Sequence, residues 1–150
     1  MISYEDILAS LISRIRKAKE GVKVVSGDIS EGFERPSFKI EIDNVELENF
    51  MNKFQDRNLK VKIYYFPKDR NKNQIDLLNT MDELTKGFIE NNYVQLEDGL
   101  IVELENQNIF ISEDKVLHLS FEMYMSEEYE EDTTIELMED LEIGGEYVNK

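Results

Sequence analysis

Apolar residues recur every three or four positions at the start of the chain. Ile7, Leu8, Leu11, Ile12 and Ile15 fall on one face, with Ser10, Ser13, Arg14 and Lys17 largely opposite. That spacing predicts an amphipathic helix. Ser3 is placed to cap it, Glu5 and Asp6 in the first turn and Arg14, Arg16, Lys17 and Lys19 towards the end complement the helix dipole, and Gly21 stops it. The period then changes to two. A β-prone piece at 22–26 leads into the Gly-containing loop 27–35. After Pro36, Phe38, Ile40 and Ile42 share one face and Lys39, Glu41 and Asp43 the other, as in a strand wet on one side. Proline lacks a donor and fixes φ, which suits a strand's first residue or an edge. Val45, Leu47 and Phe50 fit neither period, so "VELENFMNKFQDRN" reads as a continued strand and turn. Leu59, Val61, Ile63 and Tyr65 then alternate with Lys60, Lys62 and Tyr64 until Pro67 ends the run.

A second amphipathic helix is predicted over roughly 74–91, from Leu77, Met81, Leu84 and Phe88 at helical spacing with Leu78 beside them. Gly87 inside it costs about 1 kcal/mol relative to alanine, so the helix either frays there or packs closely at that point. Further β segments follow: 93–96 with 100–105 around the turn "EDG", then 108–112, then 116–125 after the turn "EDK". In the last, Leu117, Leu119, Phe121, Met123 and Met125 oppose His118, Ser120, Glu122 and Tyr124. The order is helix, strands, helix, strands, and no internal repeat is visible, which excludes solenoids and propellers. From 126 the character changes. Dense acids surround Ile135, Leu137, Met138, Leu141 and Ile143, and Gly144-Gly145 punctuates the end. The expected organisation is one domain over 1–125 and an acidic tail or arm over 126–150 that docks on a partner.

Charge changes the picture more than size does. The chain has 150 residues, enough for one domain, with 33 acidic against 17 basic side chains and a formal net charge of -16. Such a surface repels nucleic-acid phosphates and anionic lipid, which argues against direct nucleic-acid binding or membrane association and suits basic partners. The absence of cysteine removes disulfides, thiolate catalysis and thiolate metal sites. The opening residues carry acids before their apolar stretch and bases after it, the reverse of a secretory signal, and no run approaches transmembrane length. The expectation is a protein that stays inside the cell that makes it.

Candidate chemistry is sparse. Asp69-Arg70-Asn71-Lys72-Asn73 reproduces the start of a calcium loop, but Gln74 stands where the sharp turn needs glycine and Thr80 where the site needs a carboxylate. A helix entry capped by Asn71 or Asn73 is the better reading. His118 lacks a second His or Cys for zinc, and a relay through Ser120 would need an oxyanion cradle beyond what Glu122 offers. Glu103 with Glu105, and the acids of 127–132, read as a solvated face rather than paired catalytic carboxylates. Glycine-rich phosphate loops are missing. The expectation is a protein that is not an enzyme and that uses no cofactor or metal. The aromatics Tyr64, Tyr65, Phe66, Phe121 and Tyr124 alternate so that one core explains only one face, and the second face fits a surface that expects a neighbour.

Those pieces, with Asp28-Ile29-x-x-Gly32-Phe33-x-Arg35-Pro36-Ser37-Phe38-x-Ile40 after the first helix and "IYYFP" at 63–67, resemble a family of phage tail terminator proteins from Gram-positive phages, prophages and phage-tail-like particles. The resemblance covers most of residues 1–125, and its Gly-Phe-x-Arg-Pro-x-Phe run is its most specific part. It implies an α+β domain with two helices packed on one face of a mostly antiparallel sheet, in the order α-β-β-β-α-β-β-β, followed here by the acidic C-terminal extension.

The implied function is a homo-oligomeric, six-fold ring on the end of the tail tube. The ring stops tube polymerisation, anchors the last sheath ring in contractile systems, and joins the head connector where a head exists. A tail-like bacteriocin would keep the same ring as a cap. The implied partners are the tail tube protein, the sheath protein of a contractile tail, the head-tail connector and further copies of the chain. DNA would pass through the ring without being bound. Assembly is expected in the host bacterial cytoplasm, and the product is a virion or tail-like particle. The expected contacts to tube or neighbouring subunit are Glu31, Phe33, Arg35 and Pro36, and those of the tail are Ile135, Leu137, Met138 and Leu141. An acidic module that imitates phosphate spacing and blocks basic nucleic-acid-binding sites is the alternative.

Overall fold

Ser3 accepts a hydrogen bond from the Asp6 amide at 3.1 Å, and helix α1 (Tyr4–Ala18) runs from that cap. Ile7, Leu11 and Ile15 are fully buried along one stripe, with Leu8 and Ile12 packed at its margin. Gly21, at φ +82, takes the left-handed turn that ends the segment, a conformation that costs glycine little. The structure, a computed structural model, describes residues 2–25, 34–51 and 53–128.

Six strands follow the sequence order: β1 (Lys23–Val25), β2 (Ser37–Phe50) and β3 (Phe54–Phe66) before helix α2 (Gln74–Leu84), then β4 (Tyr93–Gln95), β5 (Ile101–Ile111) and β6 (Leu117–Glu128). They form one sheet in the order β1-β2-β3-β6-β5-β4. Only β1 and β2 are parallel among the registers defined, with Lys23 opposite Ser37 and Val25 opposite Lys39. β4 with β5 and β5 with β6 are antiparallel. β2 and β3 pair in the same sense, because Glu41 meets Tyr64 and Asp43 meets Lys62 as one strand ascends and the other descends. The architecture is α+β, as the resemblance implies, in the element order that the sequence pattern predicts.

Two compact units divide the chain. The larger takes 2–46 and 57–125, and the smaller, among the described residues, gathers 47–51, 53–56 and 126–128. In the smaller unit β2 and β3 are joined by a turn with Met51 at φ +56, and Leu47, Met51 and Phe54 are exposed. In the larger unit the core occupies one face of the sheet. Phe38 and Ile40 of β2, Leu59, Val61, Ile63 and Tyr65 of β3, and Leu117, Leu119, Phe121, Met123 and Met125 of β6 are buried there in strict alternation. Ile7, Leu11 and Ile15 of α1 and Leu77 and Leu84 of α2 join the same cluster, which places both helices on that face.

Three details depart from the pattern. β3 begins at Phe54 rather than at Leu59, and β2 is correspondingly long. Segments 100–105 and 108–112 are one strand, β5, interrupted by a bulge between Glu105 and Asn108 with Asn106 at φ +51. The extra residue switches the inward set from Val102 and Leu104 to Ile109 and Ile111, so a period of two breaks at that point. The second helix is α-helical only to Leu84 and continues as a π-helical turn, Thr85–Ile89, before Glu90.

Gly87 lies in that turn because α1 crosses it closely. A Cβ built on Gly87 would stand 2.8 Å from the Ala18 Cβ. Glycine here serves close packing rather than fraying. An ion pair from Lys19 to Glu83 at 2.9 Å runs alongside.

Gly87→Ala tests this packing by the sign of its effect. On an open helix alanine gains about 1 kcal/mol, whereas an overpacked contact costs about 1–3 kcal/mol. The expected outcome in urea unfolding is net destabilisation, with recovery when Ala18→Gly is added to the same chain. A single variant as stable as the parent would mean that the helices do not meet here.

Candidate interaction surfaces

The sheet face away from the helices carries the residues that the alternation sends outward. At the end where β6 begins, Phe110 of β5 stacks on His118 of β6, with ring centroids 4.6 Å apart and planes 6° from parallel. Tyr64 of β3 meets the same imidazole edge-on at 4.9 Å. Tyr64 donates its hydroxyl proton to Glu41 Oε1 at 2.9 Å, and burial together with that carboxylate pushes its pKa up to about 12. Ion pairs Lys39–Glu41 and Lys62–Asp43, at 3.6 and 3.5 Å, extend the face along β2 and β3. Phe110 and Tyr124 are each about half exposed on it. The surface is thus an aromatic strip within a mixed-charge frame, on the face opposite α1 and α2.

His118 is held below the ordinary histidine range, first by burial among the rings and then by the nearby Lys62 charge, with Asp114 opposing weakly. It is therefore neutral at pH 7. His118, Ser120 and Glu122, set aside as a relay on sequence grounds, do not form one. Glu122 instead accepts the amides of Asn58 and Asn106, both at 2.8 Å, and these hydrogen bonds hold its carboxyl below the usual range. Glu103 accepts from Asn92 at 3.3 Å, and Glu105 stands opposite Glu122 in the ladder, so these acids belong to surface hydrogen bonding and strand pairing.

The calcium-like run is a turn. Asp69 Oδ1 accepts the amides of Asn71 and Lys72 at 2.8 and 3.1 Å, which lowers its pKa. Asn73 occupies the N-cap of α2, as the sequence suggests, but its side chain does not accept from the helix. Its amide donates backward to the carbonyls of Asp69 and Arg70, both at 3.1 Å. That holds the loop rather than the helix end. Among the described residues no group of three or more acids and histidines could hold a metal.

Arg35 is engaged within the chain: its Nη1 donates to the Pro67 carbonyl at 3.2 Å, and the guanidinium lies 5.7 Å from the centre of the Phe66 ring. Burial, then Arg70, lowers its pKa. Arg35 and Pro36, joined by a cis peptide bond, thus tie the entry of β2 to the exit of β3. Pro36 does not mark a sheet edge, because β1 lies outside β2 along Ser37 to Lys39. Glu31 and Phe33, and Ile135, Leu137, Met138 and Leu141, lie outside the described residues.

Two arginines escaped the sequence reading. Arg57 is 1 % exposed, donates to the Ile2 carbonyl at 3.0 Å and stands 5.0 Å from the Tyr4 ring centre. The available signal was its phase, two residues before Leu59 on the inward side of β3. Arg14, assigned by its spacing to the wet side of α1, is half-buried. It donates to the carbonyls of Gly87 (2.8 Å), Asn91 and Tyr93, and lies over Phe88.

Besides the open sheet face, the larger unit has a groove of about 840 Å³ between the start of α2 and the turn that links β5 to β6. Ile75 and Leu78 stand exposed in it, with Ile111 on the opposite wall and Lys72 and Lys115 at its rim. A family model described as phage tail terminator protein matches residues 6–135. No curated protein matches the sequence.

His118 is the chain's single histidine, so its NMR titration is unambiguous. The expected midpoint lies below the ordinary value of 6.5 and rises in Lys62→Glu. Because the folded pKa is depressed for a base, the unfolded chain binds the proton more readily. His118 therefore adds stability that is full above pH 6.5 and falls away as the pH drops through 6.5 towards the folded pKa. A midpoint at or above 6.5 would show that the rings and Lys62 do not act as described.

Proposed function

The chain belongs to a family of phage tail terminator proteins, matched over residues 6–135, and from that premise we propose that it assembles as a hexameric ring that caps the end of a tail tube. The family is a structural one, and its members work against other tail components within the virion. The family match is the observation that carries this reading. The geometry supports it in a second way. A head-to-tail ring needs two different patches on each subunit, and the larger unit offers a sheet face opposite both helices and a separate groove.

In this reading the ring stops polymerisation of the tube, receives the last sheath ring in a contractile tail, and meets the head connector where a head exists. A tail-like bacteriocin or prophage particle of a Gram-positive host uses the same ring as a terminal cap. Assembly takes place in the bacterial cytoplasm. The net charge of -16 suits a ring through which DNA slides, because phosphates are repelled rather than held. The segment 31–37 contacts tube or neighbour through Glu31, Phe33 and whatever surface Arg35 and Pro36 keep after their internal contacts. The tail residues Ile135, Leu137, Met138 and Leu141 make a further contact. A phosphate-mimicking module would share the charge but would have no reason to match a tail family.

Electron microscopy of tails assembled with and without the gene tests the proposal. Loss of the protein should give tubes of uncontrolled length, and Phe33→Ala should impair capping more than it lowers the stability of the isolated chain, whereas Arg35→Ala also removes the tie to Pro67 and Phe66 and should lower both. Tubes of normal length and finish in the absence of the protein would remove the terminator reading.

A further inference from the structure

The acidic segment and the groove beside α2 have complementary chemistry. In a chain of net charge -16, the loop ahead of α2 concentrates Lys68, Arg70 and Lys72 against the single acid Asp69, whose carboxylate is already occupied by two backbone amides. Lys115 faces Lys72 across the groove from the β5–β6 turn, with Glu113 the one acid on the lining. Between them Ile75 is 72 % exposed and Leu78 45 %, so two large apolar side chains stand in water on the first turns of α2. An apolar floor under a basic rim, on an otherwise acidic molecule, selects an apolar segment studded with acids.

The chain contains such a segment. Ile135, Leu137, Met138 and Leu141 alternate with Glu136, Glu139, Asp140 and Glu142. We infer that the groove of one copy receives residues 135–142 of a neighbouring copy. The inference rests on the ring proposed above, whose head-to-tail contacts it would help to close. The path of β6 favours a neighbour over the chain's own tail. β6 starts beside the groove at Leu117 and carries the chain to Met125, about 27 Å away at about 3.4 Å per residue. The stretch from Met125 to Ile135 could return over that distance only if almost fully extended, and its first residues still belong to β6. A second copy delivers the segment without that stretch. Desolvating Ile75 and Leu78 provides the attraction, while the lysines set the register against the acids and make the contact weaken with salt.

The absence of cysteine permits a direct test on full-length chains. One chain carries Ile75→Cys, a second carries Met138→Cys, and the two are mixed under mild oxidation. The expected result is a disulfide-linked heterodimer that is lost when Lys72→Glu and Lys115→Glu are added to the first chain, and that does not form when Ile101→Cys on exposed β5 replaces Ile75→Cys. A chain bearing both cysteines, held at high dilution, should stay reduced. An intrachain disulfide there would assign the groove to the chain's own tail, and no heterodimer, or equal yield from the Ile101→Cys control, would overturn the docking outright. Tail capping by the same variants after reduction is read separately. Crosslinking without capping would keep the groove and remove the terminator reading, and capping without crosslinking would do the reverse.

Discussion

The contact between Ala18 and Gly87 is the constraint on which the larger unit's arrangement depends. A glycine with no room for a Cβ, set against a small residue, lets two helices approach more closely than ordinary side chains allow. The second helix meets that demand by giving up α-geometry. Its last turn widens to a π-helix at Thr85–Ile89, and Thr85 donates back to the Met81 carbonyl at 2.7 Å. Arg14 then collects carbonyls that the end of this helix and the start of β4 present, so one guanidinium joins α1, the π-helical turn and the sheet edge. Burial lowers its pKa, yet arginine stays charged under any ordinary condition and the charge-assisted bonds persist.

Because both helices are drawn together on one side, the sheet has one dry face and one wet face. The dry face is filled by aliphatic and aromatic residues in strict alternation, with Tyr65 fixed by a 2.7 Å hydrogen bond to Asp76 of α2. The wet face uses alternation differently. Its lysines and acids pair along β2 and between β2 and β3, and its aromatics gather around a histidine kept neutral by its surroundings. A neutral, ring-lined strip is cheaper to cover than a charged one, since covering it removes little ionic hydration. The same residues that look catalytic in a list, His118 and Glu122, are thereby parts of a surface.

The legible parts of this fold are those where one period holds without interruption. α1, the inward sets of β3 and β6 and the order of elements follow from residue spacing and type, whereas at Gly87 the sequence leaves fraying and close packing both open and only the contact with Ala18 decides. What spacing cannot carry is a change of phase. Asn106 adds one residue to β5 and switches its inward set, so a single strand reads as two fragments. Arginine hides for a different reason: its long stem packs as an apolar residue while its head finds carbonyls distant in sequence. Arg57 and Arg14 both do this, and neither set of partners is adjacent in the chain. Among the candidate contacts, Arg35 and Pro36 were recognisable as a motif. Their tie to Phe66 and Pro67 depends on β2 and β3 pairing, which no local pattern reveals.

Charge decides how a surface of this kind can be used. At -16, two copies repel at long range, so association requires either a basic counterpart or a local reversal of sign. The loop of Lys68, Arg70 and Lys72 supplies that reversal at one place, next to exposed isoleucine and leucine, while the acids concentrate in the C-terminal segment. Separating the two signs at different sites on one chain favours contacts between unlike patches. Such contacts can close reciprocally, each copy of a two-fold pair offering its basic patch to the other's acidic segment, or run head to tail around an axis. In either arrangement the basic loop meets acids rather than another basic loop. Charge segregation thus argues for contacts between unlike patches from the sequence upward.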